Sequence, residues 1–146
     1  MATKLTSPTT TVNLSVTSND MTSNPISLNC NFQLKKAGTR TAGLDNFSGV
    51  SRRSHGSTTA LRIIDEADFD DDKAHVLYIK NLSTTSGDYL EIFVKDGNSP
   101  TDADNLLGRV YEGNAFLIPW AGHLDVFVGQ SAAGIEYEVA LFSEDS

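Results

Sequence analysis

The stretch that decides the fold is HVLYIKNLSTTSGDYLEIFVK, residues 75–95. Apolar and polar residues alternate through 75–81 and again through 89–95, and the linker LSTTSGD between them is rich in turn-forming residues. Alternation with a period of two is typical of a β-strand that has one face in a core. The stretch therefore predicts two strands, and the turn-rich linker indicates that they pair as a hairpin.

The same alternation recurs at 25–34, 123–129 and 134–142, and further short strands are predicted at 10–16, 58–64, 108–111 and 115–120. A second hairpin is predicted around Glu112-Gly113-Asn114, which joins two of these runs. No stretch of about 11 residues or more keeps a helical period. The sequence therefore predicts an all-β fold, an antiparallel β-sandwich or jelly-roll-like arrangement of short strands.

The length of 146 residues predicts one domain. Residues 1–24 are predicted to form an N-terminal arm, flexible over 1–9, with the first weak strand, and residues 25–146 the β-sandwich domain. Within that domain, 35–57 is predicted to be an extended loop because it is glycine-rich, basic and unpatterned. Loops of this length are usually functional or disordered.

The charge is divided between the two parts of the chain, although the net charge is −8. Residues 1–64 hold seven basic and two acidic residues, and residues 65–146 hold four basic and seventeen acidic residues. The division predicts that one half folds on the other, or that copies meet with opposite charges in contact. Arginine pairs well with carboxylates, so the predicted interface residues are Lys35, Lys36, Arg40, Arg52, Arg53, Asp70 and Asp71.

The acidic run DEADFDDDKAH, residues 65–75, matches a calcium-binding loop only in part. Acids alternate as at the start of an EF-hand loop, but Lys73 stands where glycine is required and Ile79 where the last acid is required. A solvated turn between strands is favoured. The alternative is a weak cation held at an interface by Asp65, Asp68, Asp70 and Asp72.

The sequence predicts no catalytic residue and no cofactor, so we expect a protein that is not an enzyme. His55, His75 and His123 lack the spacing of ligands on one element and are predicted to be surface residues. There is no nucleophile elbow and no phosphate-binding glycine loop. Cys30 is predicted to be buried on the apolar face of its strand. Aromatic side chains on strands lie more often in the core than on a binding surface. Tyr78 and Tyr89 are predicted to face opposite their aliphatic neighbours, so a small sugar platform stays open as an alternative.

Two segments carry a resemblance to a known family: YIKNLSTTSGDYLEIFVKDG (78–97) and LLGRVYEGNAFLIPWAG (106–122). Over about 75–128 the chain resembles small structural proteins of tailed bacteriophages, marine phages especially. The resemblance implies a virion component without enzymatic activity, attached to a capsid or a tail.

The resulting expectation is a capsid decoration (cement) protein that docks on the major capsid protein or another virion protein and stabilises the shell. We expect a homo-oligomer at the capsid surface, made in the host cytoplasm. Neither nucleic acid nor a membrane is expected as a partner, because of the acidic half and the absence of a long apolar segment. The alternatives are a tail or fibre-attachment component, or a carbohydrate- or receptor-binding β-sandwich module.

Overall fold

The computed structural model describes residues 3–4, 10–19, 26–36, 43–71, 73–96 and 103–144. Within these ranges the chain is nearly all β, with two single turns of 3-10 helix at Glu66–Asp68 and Ala103–Asn105. No helix in the described ranges is long and apolar enough to cross a membrane. The strands are β1 (Thr3–Lys4), β2 (Thr11–Ser18), β3 (Ile26–Gln33), β4 (Asn46–Phe47), β5 (Ser51–Arg53), β6 (Leu61–Ile64), β7 (His75–Asn81), β8 (Tyr89–Lys95), β9 (Leu106–Tyr111), β10 (Ala115–Trp120), β11 (Asp125–Gln130) and β12 (Tyr137–Ser143).

Strands β5 to β12 form a two-sheet jelly roll. Its four antiparallel pairs are nested in the chain, with β8–β9 innermost, then β7–β10, β6–β11 and β5–β12. One sheet has the order β5-β12-β7-β10 and the other β6-β11-β8-β9, while β4 and β1 extend the first sheet beside β12. The predicted all-β sandwich of jelly-roll type is confirmed.

The two predicted hairpins are wrong in their pairing, although their strands are right. β7 and β8 lie in opposite sheets, and so do β9 and β10. The linkers after 81 and after 111 therefore cross between the sheets. Alternation shows which side of a strand faces the core, but two strands can offer that side from opposite layers.

The core lies between the two sheets and is built largely from alternate positions of the strands. In β7 the buried positions are His75, Leu77, Ile79 and Asn81, each separated by a half-buried residue. Burying each large aliphatic side chain contributes about 1.5–3 kcal/mol. The buried cluster comprises Ile63, Ile64, Leu77, Ile79, Leu90, Ile92, Val110, Trp120, Val126, Val128, Ile135, Tyr137, Val139 and Leu141.

The segment 35–57 differs in part from the predicted extended loop. It contains β4 and β5, which both pair with β12. Leu44 is 2% exposed, and the Ser48 N–H donates to the Leu141 carbonyl at 2.9 Å, which ties the segment to β12. At the N-terminus, β1 pairs with β4, and the remainder of the predicted arm up to residue 9 lies outside the described residues.

Candidate functional site: an apolar ribbon and its groove

Strands β2 and β3 form a two-stranded ribbon that is separate from both sheets. They pair over eight residues, from Thr11 opposite Gln33 at the base to Ser18 opposite Ile26 at the tip. Opposite residues in an antiparallel pair share a face, so one face of the ribbon is polar, with Thr, Asn, Ser and Gln side chains. The other, which we call the apolar ribbon face, carries Val12, Leu14, Val16, Leu28, Cys30 and Phe32.

The apolar ribbon face is exposed. Leu14 is 54%, Val16 45%, Leu28 60% and Phe32 41% exposed. The prediction that Cys30 is buried is wrong, because it lies on this face and is exposed. The alternation of 25–34 did predict an amphipathic strand, but the sandwich does not cover its apolar side. A lone two-stranded ribbon is marginally stable, and exposed apolar patches mark interaction surfaces.

A groove separates the base of the ribbon from the sandwich. Leu34 follows β3, is 4% exposed and donates its backbone N–H to the Thr10 carbonyl at 3.0 Å. Beside it lies an open cavity of about 530 Å³, with Val12 and Leu14 on the ribbon side. Its other wall is the outer face of the sheet that contains β12, β7 and β10.

This outer face carries two apolar rows that cross the strands, which we call the outer apolar rows. Burial raises the pKa of Tyr78 in the first row, and the Glu138 carboxylate adds to the effect. In the second row the rings of Phe47 and Phe142 stack with centroids 4.6 Å apart. The rows are Leu117–Tyr78–Ala140 and Pro119–Val76–Phe142–Phe47. The apolar surface of the ribbon base therefore continues onto the sandwich.

The predicted interface arginines are engaged within their own chain. Arg52 lies 3.7 Å from Glu138 and 4.0 Å from Glu136, with its side chain 63% exposed. Arg53 donates from Nη1 to the Ile63 carbonyl at 3.1 Å, which links β5 to β6 across the open edge of the sandwich. These contacts are compatible with a further partner, but they show that the basic segment finds carboxylates in its own acidic half.

The predicted interface lysines lie at the start of the same segment. Lys35 forms an isolated antiparallel bridge with Gly43. The ammonium of Lys36 pairs with the Asp45 carboxylate, which is largely buried. Arg40 lies outside the described residues. Lys36 thus pairs with a carboxylate of its own segment, whereas Arg52 pairs with carboxylates on and beside β12.

The acidic run forms the 3-10 turn and the loop that follows it. Asp65 caps the turn by accepting the Ala67 N–H at 3.1 Å, and it pairs with Arg62 at 2.9 Å. Asp68 and Asp71 are exposed and Asp72 lies outside the described residues. Across the described parts of the chain, no three His, Cys, Asp or Glu side chains are placed to hold a metal ion.

His75 differs from the predicted surface histidine, because it is 3% exposed. Its Nε2 donates to the Asp70 carbonyl at 2.9 Å, which fixes the acidic loop against the sandwich. The ring packs edge-on against Phe69 at 5.5 Å and lies 5.3 Å from the Trp120 ring. His75 therefore has a structural role.

Two buried polar residues that bond to other elements were missed by sequence reasoning. Asn81 is fully buried and donates from Nδ2 to the Val110 carbonyl of the other sheet at 3.0 Å. Asp125 is 2% exposed and accepts the Glu66 N–H at 2.9 Å. Asn81 had a signal, since it continues the inward positions of 75–81. Asp125 had none, because it stands at an outward position of its strand.

The aromatic residues considered for a sugar platform do not form one surface. Tyr78 lies on the outer face of one sheet and Tyr89 on a strand of the other. The guanidinium of Arg109 lies 4.4 Å from the centroid of the Tyr89 ring and covers one side of it.

Searches against family models, curated proteins and solved structures found no match to this chain.

Proposed function

We propose that this protein is a non-enzymatic structural component of a virion, a capsid decoration (cement) protein that docks on the shell and stabilises it. The observation that carries the proposal is the apolar ribbon face, whose large side chains are 41–60% exposed on an element outside the sandwich. Exposed apolar surface of this kind requires another surface to cover it. A protein that assembles provides that surface.

The ribbon suits attachment because of its reach and composition. Eight residues of strand extend about 26 Å, enough to lie across a neighbouring subunit. The outer apolar rows beside its base widen the contact from a narrow strip to a broader surface. A shell offers the same contact many times, so modest individual interfaces add up to firm attachment through avidity.

The sandwich favours the same class of protein by analogy. Jelly rolls occur in viral capsid and lectin domains, among others, although a fold by itself does not specify a function. The resemblance to tailed-phage structural proteins covers about 75–128, from β7 through most of β11. The ribbon lies outside the segment that carries the resemblance, and the virion proposal accounts for the ribbon, the architecture and the resemblance together.

The buried polar groups add support, because their contacts hold the fold together. Asn81 and Asp125 bond backbone groups of other elements, and His75 fixes the loop at Asp70. The Gln130 amide donates from Nε2 to His55 Nδ1 at 2.9 Å, next to the turn before β12. Each of these groups stabilises a layer contact or a loop, as expected of a structural protein.

The test is to locate the protein in particles. Cells that express the gene at its own locus are lysed, particles are separated on a density gradient, and an antibody raised against the full chain is used for blotting and immunogold microscopy. Co-migration with particles and gold over shells is expected. Protein confined to the particle-free fractions would overturn the proposal, and gold confined to tails would place the protein in a tail or fibre-attachment component instead.

A further inference from the structure

We infer that the apolar ribbon face is covered by the ribbon of a second copy of this chain, the two stacking face to face around a twofold axis. This inference rests on the proposed function, because it names the first partner of the surface that carries that proposal. The stack would be a small four-stranded sandwich with apolar side chains inside and the polar faces in water.

The first argument is electrostatic. The chain has a net charge of −8, so two copies repel each other over most approaches. The ribbon is an exception, because residues 10–19 and 26–34 contain no Asp, Glu, Lys, Arg or His. A foreign partner is usually selected by complementary charge, and the ribbon offers none. An identical neutral ribbon needs only a matching apolar pattern.

The second argument is that this pattern is self-complementary. Three apolar cross-strand pairs follow each other along the face: Val12–Phe32 near the base, Leu14–Cys30 in the middle and Val16–Leu28 near the tip. A twofold axis between the layers, running across the strands at the middle pair, places the tip of each ribbon over the base of the other. Such an interface is isologous, the commonest kind in homo-oligomers.

The third argument is that the groove supplies the area that two ribbons alone lack. Two strands of eight residues make a surface of about 26 Å by 10 Å, well below the roughly 800 Å² that each partner contributes to a standard interface. In the twofold stack, Val16 and Leu28 at the tip reach the partner's base, where the groove of about 530 Å³ opens onto the outer apolar rows. The tip can bury itself there.

The test compares two variants that add the same charge to neighbouring positions of β3. Leu28→Lys puts a cation on the apolar ribbon face, and Asn29→Lys puts it on the polar face. Sedimentation equilibrium of the full chain should give a dimer for the wild type and for Asn29→Lys. Leu28→Lys should weaken the dimer about a hundredfold, since each dimer contains the substitution twice.

Cross-linking of the wild-type chain tests the geometry without a variant. Cys30 is the only cysteine and lies in the middle pair of the apolar ribbon face, so the twofold axis brings the two thiols opposite each other. Facing sheets pack about 10 Å apart, too far for a direct disulfide. A bismaleimide of about 8 Å should therefore give a cross-linked dimer that is lost in urea and with Leu28→Lys.

The outcomes separate this inference from the proposed function. A wild-type monomer at about 100 μM, or an oligomer that Leu28→Lys leaves intact while circular dichroism shows both variants folded, would overturn the twofold stack. Particle association could still be observed, and the ribbon would then contact the shell directly. A dimer with the expected cross-link in a protein absent from particles would support the stack and overturn the virion proposal.

Discussion

Replacing Asn81 by Asp should destabilise the fold strongly, and more at neutral than at acidic pH. The asparagine is fully buried; its Nδ2 donates to the Val110 carbonyl at 3.0 Å and its Oδ1 accepts the Ser83 N–H at 2.9 Å. An aspartate keeps the acceptor but replaces the donor with an oxygen that faces the carbonyl. The substitution is nearly isosteric, so packing changes little and the effect reports on hydrogen bonding and charge.

The magnitude follows from the two groups left without compensation. An unsatisfied buried carbonyl costs about 1–3 kcal/mol. Burial raises the pKa of the introduced carboxyl, and a rise of about two pH units costs about 2.7 kcal/mol at pH 7. The sum is about 4–6 kcal/mol, which corresponds to a fall in Tm of about 13–20 °C for a domain of this size.

The pH dependence has a definite sign. With its pKa raised in the folded state, the new carboxyl binds a proton more tightly when folded than when unfolded. The loss of stability is therefore complete above the folded-state pKa, and it shrinks as pH falls from about 7 towards about 4. A protonated carboxyl can also donate to the Val110 carbonyl, which restores the missing hydrogen bond.

The assay is urea unfolding at several pH values, followed by the fluorescence of Trp120, which is the only tryptophan and is 7% exposed. The control is Asn114→Asp, which adds the same charge at an exposed position in the turn before β10. A loss within about 1 kcal/mol of the control, or one that stays constant from pH 7 to about pH 4, would refute the reasoning.

Three further predictions test other parts of the structure. Gly122→Ala should lower the free energy of unfolding in urea by about 2–4 kcal/mol, because φ is +88° and a Cβ would lie 2.7 Å from the Asp70 carbonyl oxygen. The control is Gly134→Ala, at φ +85° in open space, which should lower it by only about 1–2 kcal/mol. Equal losses in the two variants would contradict the clash. Burial raises the pKa of Tyr137 above its ordinary value of 10.0, so the unfolded state ionises first and stability falls as pH rises through about 10. The Tyr137→Phe variant should therefore lose less stability than the wild type between about pH 9 and 11. Parallel plots of the free energy of unfolding against pH would contradict this. Arg52→Ala should change the free energy of unfolding by less than about 1 kcal/mol, because Arg52 and Glu136 are exposed and Glu138 is only half-buried. Dissociation of oligomers of this variant in sedimentation would instead favour assembly through opposite charges.

The strands could be predicted from the sequence because burial on one face imposes a period of two that helices do not share. The run 134–142 shows this, since the positions predicted to point inwards, Tyr137, Val139 and Leu141, are buried in β12. The pairing could not be predicted in the same way. A turn-rich linker of seven residues serves equally as a hairpin loop or as a bridge between sheets, and the hydrophobic pattern of the strands is the same in both cases.

The basic segment shows a second limit. Its lack of pattern predicted an extended loop, yet β4 and β5 pair with β12 over two and three residues. Strands this short have no detectable period, and they form because a neighbouring strand edge is available. The same reason explains the arginines, since Arg52 finds Glu138 only because β5 lies beside β12. Charge division along the chain indicated complementarity but did not specify whether it acts within or between copies.

The ribbon formed by β2 and β3 shows both limits of prediction from the sequence. The run 75–81 and the run 25–34 have the same alternation, yet Leu77 is 2% exposed and Leu28 is 60% exposed. The difference is not in the strands but in what lies over them: a second sheet covers β7, whereas no described element covers the tip of β3. An amphipathic ribbon without charged residues would be a liability in a monomer. It becomes useful if the missing layer comes from another chain, and the sequence of the ribbon then encodes an interface in the same way that the sequence of β7 encodes a core.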